Sequence, residues 1–251
     1  MTPTETPSAP VQNYNGHDNL SVMSVMNHYN RWIYDTMAPY LGKRLFEAGC
    51  GTGNLTAFFL RTPGLTHYVG VDLSPAYCSR LQREIVPLPG VTVDFHAANL
   101  QDPSLKFTSG VPFDTIVCSN VLEHIENDRD VLRSFYDMLT PGGKVVLQVP
   151  ALQMLYGSID VTDHHVRRYS RRELVGKVKE AGFTIKKASY FNLLGIPAWI
   201  WHGKIMRHQT HPQGDLAAWD RWVPWIRKLE SLISLPIGLA VFVVGEKPHH
   251  G

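Results

Sequence analysis

The chain has 251 residues, of which 44% are hydrophobic and 18% are charged. This composition supplies enough apolar surface for one folded domain with an elaboration, and it excludes global disorder. The formal net charge is only +2, which argues against nucleic acid as the default partner.

The cysteines and the N-terminal segment indicate the compartment. Cys50, Cys78 and Cys118 form no C-x-x-C pair, which suits neither a disulfide framework nor a zinc site. Residues 1–16 are rich in Thr, Pro, Asn and Ser and lack the apolar run of a signal peptide, so they are predicted to be a flexible tail. Residues 17–251 are then expected to form one domain, in the cytoplasm.

Strand and helix patterns alternate along most of the chain. The apolar periodicities predict strands over residues 44–48, 67–72, 91–97, 114–119, 144–149, 183–190 and 239–245. Helix patterns cover residues 20–41, 54–61, 74–85, 126–139 and 170–181. The run Thr140-Pro141-Gly142-Gly143 is predicted to be a turn that ends the fourth of these helices. Such alternation is typical of a mainly parallel sheet covered by helices.

The region after residue 150 has a different character. Residues 151–169 have no clear period, and irregular segments of this length are usually functional. Residues 191–236 hold five of the six tryptophans and are interrupted by prolines, which indicates a helical lid inserted between the sixth and seventh strands. A packed helical cap or a dimer face are the alternatives. No stretch reaches the roughly 18 uncharged apolar residues that span a bilayer, so only peripheral membrane contact through the lid stays open.

A glycine-rich loop follows the first strand, with the sequence Glu47-Ala48-Gly49-Cys50-Gly51-Thr52-Gly53. Glycines at this spacing allow a tight turn and let backbone N–H groups approach a ligand. Dinucleotide-binding loops carry their third glycine one residue later, where this chain has Asn54. Glu47 would also repel a pyrophosphate but attract a cationic sulfonium. Both features disfavour a nicotinamide dinucleotide.

This loop resembles the first motif of the class I S-adenosylmethionine-dependent methyltransferases. The segment 117–124 and Pro141-Gly142-Gly143 also resemble that family, so the resemblance covers roughly residues 44–149. It implies a Rossmann-like α/β fold with a seven-stranded, mainly parallel sheet whose last strand is antiparallel. Asn99 stands where the family usually has Asp. The implied cofactor-binding residues are Glu47, Gly49, Gly51, Gly53, Asp72, Leu73, Asn99, Leu100, Ser119 and Asn120.

Residues on the acceptor side come from the segments after the fourth and fifth strands. Methyl transfer to a hydroxyl needs a base, and histidine can serve near neutral pH. The candidate bases are His165, His164 and His124. Residues 155–170 resemble a bacterial subgroup associated with saccharide, polar-lipid or secondary-metabolite pathways, although His164 replaces its usual Gly. The predicted acceptor-binding residues are Tyr156, Asp160, Arg167, Arg168 and Trp199.

Each acceptor-side residue also has a purely structural interpretation. The histidines can organise the connection, Ser170 begins a capping box, and the arginines can be solvated. No metal ligand is predicted, although His124 with Asp160 or Asp163 offers suitable atoms.

The sequence therefore predicts an S-adenosylmethionine-dependent methyltransferase with S-adenosylhomocysteine as its product. The expected acceptor is a hydroxyl or amine of a small molecule, amphipathic or of the saccharide, lipid or secondary-metabolite type. The enzyme is expected to be a monomer or homodimer. One alternative is a catalytically inactive cofactor-binding regulator of the same fold. The other, less favoured, is an NAD-dependent oxidoreductase.

Overall fold

A computed structural model describes residues 26–102, 112–206, 218–233 and 236–249. The predicted tail over residues 1–16 and the start of the first predicted helix lie outside these ranges. The described residues form one seven-stranded sheet with the order β3-β2-β1-β4-β5-β7-β6. All pairings are parallel except those of β7, which runs antiparallel between β5 and β6. The predicted fold class is confirmed.

The strands agree closely with the apolar patterns. They are β1 (Arg44–Ala48), β2 (His67–Asp72), β3 (Thr92–Ala97), β4 (Phe113–Ser119), β5 (Leu139–Pro150), β6 (Thr184–Phe191) and β7 (Ala240–Glu246). From β1 the sheet continues to β2 and β3 on one side, and from β4 it continues to β5 on the other side. The strand order therefore reverses between β1 and β4. In open α/β sheets a ligand binds at such a switch point, beyond the carboxyl ends of the strands.

Helices cover both faces of the sheet. They are α1 (Asn27–Met37), α2 (Thr56–Phe59), α3 (Pro75–Glu84), α4 (Asp128–Met138), α5 (Ser158–Thr162), α6 (Arg171–Glu180), α7 (Gly195–Trp199) and α8 (Val223–Glu230). One buried cluster joins α4 and α6 to the sheet, and a second joins α1, α2, α3 and α8 to its other face. Because adjacent strand residues alternate faces, Leu45 belongs to the second cluster and Phe46 to the first.

Two helices begin at the caps that the sequence indicates. The Ser74 hydroxyl accepts a hydrogen bond from the Tyr77 N–H at 3.4 Å, with Pro75 in the first turn of α3. The Ser170 hydroxyl accepts from the Glu173 N–H at 3.1 Å. Each cap satisfies one of the backbone donors that a helix N-terminus leaves without an internal partner.

Two predicted elements differ from the structure. The helix predicted over residues 54–61 is confined to Thr56–Phe59, and β5 begins at Leu139 rather than at residue 144. The run predicted to be a turn is thus part of a strand. Its backbone pairs with an extension of β7, since the Gly142 N–H donates to Lys247 O at 2.8 Å and the Lys247 N–H donates to Gly143 O at 2.9 Å.

The segment predicted to be a lid contains α7, a π-helix (Ile200–Ile205) and α8. Its last helix is packed into the body of the domain, since Val223 and Ile226 lie in the second core cluster. Asp220, just before α8, accepts hydrogen bonds from the His28 and Tyr29 N–H groups at 3.0 and 2.9 Å. It thereby caps α1, whose own N-cap residue provides no side-chain bond. In the described part of the chain, no helix has the length and apolarity to cross a bilayer.

Candidate active site

A cavity of about 470 Å³ opens beyond the carboxyl ends of β1, β2, β3 and β4. This volume suits a ligand of the size of a drug or a nucleoside cofactor. Lining residues from these strand ends and the loops after them include Glu47, Gly49, Cys50, Gly51, Thr52, Asp72, Leu73, Asn99, Leu100, Ser119, Asn120 and Val121. Nine of the ten predicted cofactor-binding residues are among the residues that line the cavity; Gly53 is not. Their cofactor contacts stay a prediction.

The glycine loop has a backbone conformation that residues with a side chain rarely adopt. Gly49, Gly51 and Gly53 have φ values of +81°, +50° and +85°, in the left-handed region where a Cβ is unfavourable. A Cβ on Gly49 would lie 2.2 Å from Val121 Cγ2, and one on Gly53 would lie 2.6 Å from Leu81 Cδ2. Gly53 therefore allows the loop to pack on α3, behind the cavity wall.

Asp72, at the end of β2, holds this loop in place. Its Oδ2 accepts a hydrogen bond from the Gly51 N–H at 2.8 Å, and its Oδ1 accepts from the Ser74 N–H at 2.9 Å. Burial raises the pKa of Asp72, while these backbone donors oppose the rise. A carboxylate oxygen has two lone pairs, so each oxygen keeps the capacity to accept a ligand hydroxyl.

Glu47 is a buried carboxylate at the base of the cavity. Its Oε2 accepts hydrogen bonds from the Thr56 hydroxyl at 2.7 Å and from the Tyr68 hydroxyl. Burial raises the pKa of Glu47 to about 7, against the lowering effect of these two donors. A ligand carrying positive charge would favour the ionised form.

Two hydroxyls in the cavity wall indicate a polar ligand. Thr52 Oγ1 and Ser119 Oγ are buried and have no hydrogen-bond partner among the described residues. Buried polar atoms are normally paired, and both residues line the cavity. The glycine loop, the Asp72 carboxylate and these hydroxyls fit a nucleoside cofactor with a polar tail. Asn30 and Ile33 of α1 also line the cavity; the sequence did not indicate them, because only tertiary packing brings α1 there.

A polar cluster adjoins the cavity through His124, which lines it. The His124 and His165 rings are 4.7 Å apart and nearly perpendicular. His165 Nδ1 is 2.8 Å from Asp160 Oδ1, and its Nε2 is 3.9 Å from Glu123 Oε1. Glu123 is fully buried, and neither of its carboxylate oxygens has a hydrogen-bond partner within the described ranges. Its position beside His124 in an otherwise apolar segment is the signal that could have identified it from the sequence.

The cluster shifts the pKa values of its members in different directions. Burial lowers the pKa of His165, but the hydrogen bond with Asp160 and the Glu123 charge outweigh it and leave the value raised. Burial, with repulsion from His165, lowers the pKa of His124 to about 3. Burial raises the pKa of Glu123 to about 7, partly offset by His165.

The same side chains offer atoms to a metal ion. Glu123, His124 and His165 each present one ligand atom, and these atoms lie within 4.8 Å of one another. This set differs from the ligands considered in the sequence, because Asp160 is bonded to His165 and Arg168 instead. The prediction that no metal takes part stays a prediction.

The predicted acceptor-binding residues surround the polar cluster rather than the cavity. Arg168 Nε donates to Asp160 Oδ1 at 2.8 Å, and its guanidinium carbon lies 4.2 Å from the Trp199 ring centroid. Arg167 Nη1 donates to Asp128 Oδ2 at 2.9 Å. Tyr156 donates its hydroxyl hydrogen to the His165 carbonyl at 2.5 Å. These side chains are engaged within the protein, and their contact with an acceptor stays a prediction.

His164 and His165 have different surroundings. His164 is exposed, has a φ of +57° and does not line the cavity, whereas the His165 side chain is only 10% exposed. The positive φ lets the chain turn so that His165 faces inward. Of the candidate bases, His124 and His165 are brought together and His164 is not.

This chain is similar to known proteins over the strands and loops that line most of the cavity. Residues 46–145 match a family model described as a methyltransferase domain. The chain is 29% identical over 122 residues to the ubiquinone biosynthesis O-methyltransferase of Aeromonas salmonicida, covering 46% of this chain and 47% of that protein. It is 26% identical over 194 residues to the ubiquinone/menaquinone biosynthesis C-methyltransferase of Vibrio cholerae, covering 66% of this chain and 73% of that protein. The first match thus spans about half the length of its relative.

A solved structure shares the fold over nearly the whole chain. Phosphoethanolamine N-methyltransferase 2 of Haemonchus contortus, in complex with S-adenosyl-L-methionine, has a TM-score of 0.60 and 18% identity, covering 97% of this chain and 62% of that chain. Its likeness concerns the fold. Residues 46–145 thus match a methyltransferase domain, and the glycine loop and the strand order agree with the fold of the class I S-adenosylmethionine-dependent methyltransferases.

Proposed function

We propose that this chain is an enzyme that transfers the methyl group of S-adenosylmethionine to a hydroxyl or amine of a small acceptor. The cavity at the switch point of the sheet carries this proposal, because the glycine loop, Asp72 and two hydroxyls without a partner in the described ranges meet there. When bound, S-adenosylmethionine supplies an electrophilic methyl group attached to a sulfonium.

The cavity residues would divide the recognition of this cofactor. Asp72 is suited to accept hydrogen bonds from the two ribose hydroxyls. Asn99 would accept from the adenine amino group. Its Oδ1 already accepts from the Gln101 N–H at 2.9 Å, which fixes the amide orientation. Glu47 would favour the cationic sulfonium electrostatically.

His165 is the proposed base for a hydroxyl acceptor. Asp160 fixes its ring through Nδ1, and a proton on Nδ1 leaves the Nε2 lone pair free to accept a proton. The Nε2 side of the ring faces Glu123 and His124, toward the cavity wall. The acceptor would then extend from the cavity toward the polar cluster, where the reacting oxygen can meet both the methyl group and the imidazole.

The acceptor is proposed to be amphipathic. The two relatives described above are named for quinone biosynthesis, and Trp199 lies beside the polar cluster at the edge of the predicted lid. An aromatic surface next to buried charges suits a molecule with one apolar and one polar part.

Titration calorimetry with S-adenosylmethionine and with NAD tests the cofactor assignment. We expect binding of the first and none of the second. Gly49→Ala should weaken that binding at least about tenfold, because its Cβ meets Val121 in a left-handed backbone. Gly90→Ala is the matched control, since Gly90 has the same φ of +81° with nothing within 4 Å of its Cβ.

Turnover with a panel of hydroxyl and amine acceptors tests the reaction. Methylated product supports the proposal. Tight binding of S-adenosylmethionine without turnover of any acceptor would favour the inactive regulator, and binding of NAD alone would overturn the proposal.

A further inference from the structure

The outer face of α8 exposes an unusual amount of apolar surface. Trp222, Trp225 and Leu229 are 64%, 68% and 56% exposed, and Leu232 and Ile233 directly after the helix are 75% and 57% exposed. We call these residues the tryptophan face. Large apolar side chains grouped on one surface usually mark a site of interaction.

The orientation of this face is fixed by the buried side of the same helix. Val223 and Ile226 are buried in the core, and Glu230 is buried beside them. The positions 222, 225 and 229 share one side of a helix, and 223, 226 and 230 lie about 100° further around the helix axis. The tryptophan face is therefore exposed because the helix already packs with its other side.

Within residues 220–233 the charges that reach the surface all have the same sign, and one of them, Arg227, is paired with Asp35 of α1. Arg221 and Lys228 are exposed and lie seven residues apart, on one flank of the tryptophan face. The two acidic residues of this segment point inward: Asp220 caps α1, and Glu230 accepts hydrogen bonds from the Asn192 and Leu194 N–H groups at 3.1 and 3.2 Å. The exposed part of residues 220–233 thus carries cations and no carboxylate.

We infer that the tryptophan face binds the surface of an anionic lipid bilayer. Tryptophan is the side chain that suits the boundary between headgroups and acyl chains, and Arg and Lys beside it are attracted to anionic headgroups. A short helix with an apolar face and cationic residues beside it lies in the plane of the membrane–water interface. A symmetric contact between two copies of the chain would instead bring the cations of both copies to one interface.

This inference goes beyond the proposed reaction and does not depend on it. Vesicle binding is measured without cofactor or acceptor, so its failure would leave the methyl-transfer proposal intact. The opposite also holds, since a chain without turnover can still bind lipid.

Co-sedimentation of the full chain with lipid vesicles tests the inference. We expect binding to vesicles of equal parts phosphatidylglycerol and phosphatidylcholine, weaker binding at high salt, and little binding to phosphatidylcholine alone. The double variant Trp222→Ser/Trp225→Ser should bind at least about tenfold less tightly. Arg221→Gln and Lys228→Gln should each lower binding about fivefold, the effect of one cation near an anionic surface.

Val86→Ser is the matched control, because Val86 is 85% exposed but belongs to a different segment, directly after α3. It should bind vesicles like the wild type, and all variants should keep the wild-type affinity for S-adenosylmethionine. No binding of the wild-type chain to anionic vesicles would overturn the inference. So would wild-type binding by the tryptophan double variant. A concentration-dependent dimer in light scattering that the double variant loses would assign the face to a second copy instead.

Discussion

The cofactor cavity and the polar cluster beside it are built in opposite ways. In the cavity wall, the hydroxyls of Thr52 and Ser119 lack partners among the described residues, and Gly49 and Gly51 adopt the left-handed backbone conformation, which lets a ligand approach the loop closely. In the cluster, the Asp160 carboxylate is bonded to both His165 and Arg168. The cavity is arranged for a ligand, whereas most of the cluster is arranged for its own rigidity. Variants of the first should change binding and variants of the second should change stability, with His165 as the exception.

His165→Ala should have the largest effect on turnover. Proton removal by a positioned imidazole contributes about 10² to 10⁴ in rate, so kcat should fall by this factor for a hydroxyl acceptor while cofactor affinity is unchanged. His164→Ala is the control, since His164 is exposed, and it should keep nearly wild-type kcat.

The pH profile separates a base from a structural residue at this position. Because the pKa of His165 is raised, a base at this position stays protonated above the usual histidine pKa, and activity should rise with pH through that raised value. In His165→Ala, this rise of activity on the acidic side of the pH profile should be absent. An unchanged acidic side of the pH profile in this variant would point away from His165 as the base. Loss of wild-type activity on metal chelation would do the same.

Arg168→Met should strongly reduce the free energy of unfolding. The Arg168 side chain is 1% exposed and Asp160 is fully buried, so the variant removes the guanidinium from a buried carboxylate that keeps only His165 and the Gly157 N–H among the described residues, at a cost of about 3–5 kcal/mol. Urea denaturation measures the change.

Arg167→Met is the matched control for this prediction. Its side chain is 25% exposed, and Asp128 keeps Lys177 and Tyr169 as partners, so the cost should be about 0–1 kcal/mol. A raised KM in Arg168→Met with unchanged stability would show that this arginine holds the acceptor instead.

Asp72→Ala should weaken S-adenosylmethionine binding by about 1.5–3 kcal/mol, the range for hydrogen bonds to a charged group. The variant removes the acceptor for the Gly51 N–H as well as the proposed ribose contact. Calorimetry measures the affinity, and Asp94→Ala on β3, outside the cavity lining, should leave it unchanged. Equal affinities in the two variants would exclude Asp72 from the site.

Glu47 should give the smallest effect, visible as a pH dependence. Its folded pKa of about 7 lies above the ordinary 4.5, so the folded state binds more protons between these values and stability should fall as pH rises through that window. Glu47→Gln should remove part of this slope in urea denaturation. Glu123 should supply a further part, since its pKa is also raised to about 7. If Glu47→Gln showed the same dependence of stability on pH as the wild type, the group that titrates in this range would be another residue.

The sequence predicts β1 and β2 to the residue because their apolar runs are bounded by glycine or by charged and polar residues. It does not predict the start of β5, because the Gly142 and Gly143 pairing depends on Lys247, about 100 residues away. The loop residues of the cavity could be predicted since they follow strands directly. Asn30 and Ile33 could not, because their positions depend on the packing of α1 against distant segments.

The cap that Asp220 places on α1 also determines when a newly synthesised chain becomes competent. Its two hydrogen bonds join residues 192 and 191 positions apart, and α1 supplies Asn30 and Ile33 to the cavity wall. While the chain emerges from the ribosome, the first turn of α1 has no cap until nearly all of the polypeptide is outside. The α1 side of the cavity wall is therefore completed late in synthesis, at about the stage when β7 takes its place between β5 and β6.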